Sequence, residues 1–217
     1  MGRSAIELQS YIRDRTKNIT KDCATFLFFK QKYNGTYHRR EDILGGGNLL
    51  MAMGLFGALE YLSKIYYVLK TGYENIPNNR NSKPYPIGRP NEIKWERPLS
   101  ELIRDCPIEL GIRNLNAQRL KKFWQNWRNK LAHLLAQDHR WGGVASFDDS
   151  TLSFHGAETH IKNHFTSFTR NNGRWECDAD KFRMDIEDIA EWICTQVTGH
   201  TGARARSTLN WLKRCWK

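Results

Sequence analysis

The feature that most constrains this chain is a run of bulky apolar residues at helical spacing. Leu120, Phe123, Trp124, Trp127, Leu131, Leu134 and Leu135 recur at i, i+3, i+4, i+7, i+11, i+14 and i+15. At about 100° per residue they fall within a stripe of roughly 120° on one helical wheel. A stripe with three large aromatics is tolerable only when something covers it, so the segment predicts an amphipathic helix bedded in a core. Asn116 supplies an N-cap, and the periodicity runs to about His139.

Other stretches organise around this helix. Ile6, Leu8, Tyr11 and Ile12 recur at helical spacing, followed by an apolar cluster from Ala24 to Phe29. A break at Asn34-Gly35 and a Gly45-Gly46-Gly47 stretch precede Asn48, which caps a long helix to about Lys70. Residues 72–98 hold five of the six prolines and read as a loop, with a short helix over Leu99 to Arg104. Two β-hairpins are predicted, one over Gly143 to His155 turning at Asp148-Asp149-Ser150. The other pairs Phe165 to Arg170 with Arg174 to Cys177 across Asn171-Asn172-Gly173. Asp178 or Asp180 then starts an amphipathic helix through Ile186, Ile189, Ile193 and Val197, ending near Gly199. The expectation is a mainly α chain forming a single domain over 1–217. Its core helices are about 48–70 and 99–139, with a C-terminal helix at about 180–199 and a loop insertion at 72–98.

Charge narrows the partner. The chain of 217 residues carries 34 Lys and Arg against 23 Asp and Glu, a net charge of +11. That excess favours a polyanion: nucleic acid, an acidic protein or an anionic membrane surface. The apolar run from Leu49 to Leu69 nears membrane-spanning length, but Glu60, Ser63 and Lys64 interrupt it, so a buried helix is the reading. Five scattered cysteines without a C-x-x-C pair suit reduced thiols, and the first residues carry no apolar signal core. A cytoplasmic protein without a membrane partner is therefore expected, and the N-x-T triplets at Asn18 and Asn34 are read as chance.

On the wheel of the Asn116 helix, Asn129 and His133 lie four residues apart, nearly opposite the apolar stripe, and Arg128 borders it. Arg128-Asn129-Lys130-Leu131-Ala132-His133 thus turns an Arg, an amide and an imidazole away from the helix's own core. This resembles the HEPN superfamily signature, an Arg, usually a polar residue next, and a His after four intervening positions. The resemblance is close over this helix and holds in outline over about 48–70 and 99–139; the hairpins and the proline-rich loop depart from the minimal bundle. It implies a HEPN-like up-and-down helical bundle with small β-hairpin insertions, and an endoribonuclease acting in toxin or antiviral defence.

The groups suit that chemistry. RNA can be cleaved by its own ribose 2′-OH, so no metal and no cofactor is required. A neutral imidazole, with an ordinary pKa of about 6.5, can take that proton. A guanidinium stays charged and offers a fork of donors to the phosphoryl oxygens. Asn129 holds either the imidazole or the phosphate. The family resemblance further implies a 2′,3′-cyclic phosphate product, a homodimer that pairs two motifs in one cleft, and restraint by an antitoxin or regulatory protein. The rival reading is a non-catalytic HEPN domain that binds RNA, a nucleotide or a partner protein; a helical DNA-binding protein trails, for want of a helix-turn-helix signature.

Four further constellations stand out in the sequence. Glu60 and Lys64, at i and i+4, form an ordinary helix ion pair or support the Arg/His site. Arg204, Arg206, Lys213 and Arg214, interleaved with Trp211 and Trp216, either grip RNA or belong to a final amphipathic helix with inward tryptophans. His155, His160 and His164 with Cys177 lack the close cysteine pair of a zinc site, so no metal is expected. Gly45-Gly46-Gly47 lacks the Lys-Ser/Thr of a phosphate loop and reads as a joint.

Overall fold

A computed structural model describes residues 2–28, 30–33, 36–39, 47–73, 93–125, 153–155, 166–171, 174–200 and 202–215, and statements of structure concern these. They are mainly helical. The first helix, α1 (Arg3–Phe28), contains no proline and no glycine. Its Ala5, Leu8, Ile12, Thr16, Thr20 and Cys23 are buried at steps of three and four residues, the signature of one covered face. A β-hairpin follows, β1 (Lys30–Tyr33) against β2 (Thr36–Arg39), with Tyr33 opposite Thr36. Asn34-Gly35, expected as a break, separates two paired strands, in keeping with Asn-Gly as the commonest two-residue hairpin sequence.

The long helix α2 (Gly47–Thr71) ends within a residue of its expected limit, but it begins at Gly47, so Asn48 lies in its first turn rather than at its cap. From Ala58 to Leu69 almost every side chain is buried, so this stretch is enclosed all round rather than on one stripe. Gly72 ends it in the left-handed region, φ 80°, with its N–H donated to the Val68 carbonyl at 2.9 Å. Next, α3 (Glu96–Asp105) starts three residues before the expected Leu99. Pro98 lies in its first turn, where a missing N–H costs nothing, so the proline did not delay the helix. A helical run over 117–125, here α4, follows.

Three strands form a small sheet in the order β3 (Ser153–His155), β5 (Arg174–Asp178), β4 (Phe168–Asn171). The β4–β5 pair is the predicted second hairpin, with Asn171 opposite Arg174. In contrast, β3 pairs with β5 in parallel, a long-range partner that local periodicity does not encode. Residues 143–152 of the first predicted hairpin lie outside the described ones. The chain closes with α5 (Ala179–Gly199) and α6 (Gly202–Cys215).

The chain divides into two compact units. One draws on Met1–Lys17, Ala58–Cys106 and Glu187–Lys217, the other on Asn18–Gly57 and Pro107–Ile186. The described elements of the first are all helices, with Leu8, Ile12, Leu62, Ile65, Leu99, Ile193 and Trp211 among its buried residues. The second holds both hairpins and is centred on aromatic rings. Phe56 meets Trp124 edge-on with centroids 4.8 Å apart, and Phe168 meets Phe182 at 4.9 Å and Phe123 at 5.4 Å. Each such pair adds about 0.5–1.5 kcal/mol beyond area burial. Cys23, Cys106, Cys177 and Cys194 are buried and outside any disulfide, and burial pushes Cys23 and Cys194 up to about 11. Among the described residues, no helix is long and apolar enough to cross a membrane.

Candidate functional site

The start of α4 is fixed from both sides. Asn116 Oδ1 accepts a hydrogen bond from the Arg119 N–H at 2.9 Å, and the Asn116 carbonyl accepts from the Leu120 N–H at 2.8 Å. This is the expected N-cap, worth about 1 kcal/mol. Leu120, Phe123 and Trp124, the first three residues of the apolar stripe, are all buried. Gln118, Arg119, Lys121, Lys122 and Gln125 are exposed on the other side. Arg128, Asn129 and His133 lie outside the described residues, as do the stripe positions from Trp127 onward.

The approach to α4 is equally constrained. Gly111 has φ +81°, and a Cβ there would stand 1.8 Å from the Phe168 carbonyl oxygen. Only glycine fits this crossing. Just before it, the Leu110 carbonyl accepts from the Phe168 N–H at 3.0 Å. The segment leading into α4 is thereby held against β4. Nearby, Ser167 and Lys181 both donate to Asp185, whose side chain is buried; this network joins the start of β4 to α5.

Glu60 and Lys64 pair with each other, Nζ to Oε1 2.9 Å, with side chains only 11% and 12% exposed. Such shielding strengthens the attraction between the two charges and also raises the cost of desolvating them. In α6, Arg204 donates to the Lys70 carbonyl near the end of α2, and Lys213 forms an ion pair with Glu7. Arg206 is exposed, and the side chain of Arg214 lies outside the described ones. Trp211 is buried, so it packs inward as one of the two readings of the tail required; Trp216 lies outside the described residues. Of the candidate metal-ligating histidines, His160 and His164 lie outside the described residues. Cys177 is fully buried, and among the described residues no group of three or more His, Cys, Asp or Glu is arranged to hold a metal ion.

Sequence reasoning missed one charged cluster. Asp105, at the end of α3, accepts from Tyr66 Oη at 2.8 Å, from Lys70 Nζ at 2.7 Å and from Arg104 Nε at 2.9 Å. Lys70 also reaches Glu101 at 3.1 Å, and Arg97 reaches Glu101 at 3.0 Å. Burial works to raise the Asp105 pKa, but the hydrogen bonds from Arg104, Lys70 and Tyr66 outweigh it and hold the carboxyl at about 2. An acid at a helix C-terminus opposes the dipole, which these cations offset. The i, i+4 spacing of Glu101 and Asp105 was visible in the sequence, yet their partners on α2 follow only from packing. With its acceptors occupied from several sides, the cluster works as a fastening between α2 and α3.

Comparison with known proteins finds no matching family model, no matching curated protein and no matching solved structure.

Proposed function

We propose that this protein is a metal-independent endoribonuclease of HEPN type, with a HEPN-like up-and-down helical bundle as its fold. One observation carries the reading. The Arg128-Asn129-x-x-x-His133 segment begins three residues past Gln125, where the described part of α4 ends, and that part starts at its expected cap and buries the first three positions of the expected stripe. Catalytic groups need such anchoring, because small misplacements cost large factors in rate.

In this reading His133 takes the proton from the ribose 2′-OH, and the new bond between that oxygen and phosphorus expels the 5′-oxygen. The products are a 2′,3′-cyclic phosphate and a 5′-hydroxyl. Arg128 balances the charge gathering on the phosphoryl oxygens, and Asn129 orients either the ring or the phosphate. A second copy of the chain supplies the acid for the leaving oxygen, so the working form is a homodimer. A cytoplasmic toxin or antiviral-defence role, checked by an antitoxin or regulatory protein, completes the proposal.

The test is incubation of purified protein with end-labelled RNA in EDTA, with His133→Ala run alongside. Wild type is expected to yield cyclic-phosphate ends, and the variant to lose on the order of 10²-fold or more in rate with its fold unchanged. Full activity in the variant refutes the assignment, and no cleavage by wild type leaves only the binding reading.

A further inference from the structure

From Leu110 to Gln137 the chain has no acidic residue, while Arg113, Arg119, Lys121, Lys122, Arg128 and Lys130 fall inside that stretch. Its described part shows where this charge goes. Leu120, Phe123 and Trp124 are buried, so the opposite face of α4 carries Arg119, Lys121 and Lys122 into solvent, with uncharged Gln118 and Gln125 beside them. Among the described residues, neither the Arg119 nor the Lys122 side chain enters an ion pair. Two α6 cations are placed otherwise, since Arg204 is spent on the Lys70 carbonyl and Lys213 on Glu7, while Arg206 is exposed singly. In α1 the exposed Arg13 is matched by Glu191.

We infer that Arg119 and Lys122, on the exposed face of α4, bind the phosphate backbone of a single RNA strand. The assignment of the polyanion to RNA rests on the function proposed above. As i and i+3 neighbours their Cβ atoms stand about 5–6 Å apart, close enough for both cations to serve one strand. The cap at Asn116 and the buried aromatics keep the helix beneath them rigid, so little backbone ordering opposes binding. The contact is electrostatic and reads no base, so it supplies affinity without sequence preference.

The experiment measures binding of a fluorescent 2′-O-methyl RNA 12-mer, which has no attacking 2′-OH, by anisotropy over a salt series. Full-length wild type is compared with R119Q/K122Q and with R3Q/K94Q, a control that removes two exposed cations elsewhere. Loss of two phosphate contacts is expected to lower the slope of log K against log salt by about 1.4 in R119Q/K122Q, and to weaken binding roughly ten- to thirty-fold near 0.1 M salt. The control is expected to keep the wild-type slope. Unchanged binding in R119Q/K122Q overturns the inference, and so does an equal loss in the control, which would reduce the effect to net charge. Displacement of the RNA by polyglutamate at equal charge concentration would also overturn it, pointing to an acidic protein. Because the probe is read without cleavage, failure of the nuclease proposal shows up separately, in the EDTA assay.

Discussion

Single positions in this chain differ widely in what they tolerate, and Gly111 tolerates least. Its φ of +81° and the 1.8 Å approach of any Cβ to the Phe168 carbonyl act together. Gly111→Ala must therefore move either the entry to α4 or the start of β4. It is expected to destabilise the protein by about 3 kcal/mol or more, read as a lower urea midpoint. A midpoint equal to wild type would show that the crossing is not as tight as described. At this scale the sequence was partly legible. Asn116 announced its role as a cap, since a side-chain amide before an apolar period has few other uses. Gly111 did not, because a glycine's need for positive φ depends on a strand more than fifty residues away.

Among the elements, α2 and α3 are joined by charge as much as by apolar contact. The folded Asp105 carboxyl sits at about 2, below its ordinary 3.8. A depressed carboxylate contributes stability that is present above about pH 4 and is lost as pH falls toward 2. With the Asp105 side chain about a quarter exposed, a contribution of about 1–2 kcal/mol is reasonable after screening. Asp105→Asn is accordingly expected to be less stable than wild type by that amount at pH 7, with the gap closing by pH 2. Denaturant titrations at the two pH values check this, and a gap of equal size at both would exclude the carboxylate as its source. Elements were legible where the signal is local. The end of α2, the end of α5 at Gly199 and the pairing of β4 with β5 all follow from periodicity or turn chemistry. The parallel β3–β5 pairing does not, since nothing near Ser153 encodes a partner beyond residue 173.

For the whole molecule, the proposed chemistry needs two motifs and hence two chains. Size-exclusion with light scattering at micromolar concentration is expected to give about twice the 25.4 kDa chain mass. A strict monomer would remove the second imidazole from the mechanism. The candidate site was legible only as a pattern on a wheel. Its residue types state a chemistry, whereas the meeting of two such sets depends on surfaces that periodicity does not describe.

One consequence of the buried, high-pKa thiols has practical reach. Cys23, Cys106, Cys177 and Cys194 are shielded from solvent, and the raised pKa of Cys23 and Cys194 leaves them little thiolate at neutral pH. An alkylating reagent thus meets these sulfurs chiefly when the surrounding helices part. The chain carries its own clock for breathing motions, and modification at each cysteine timestamps the opening of its neighbourhood.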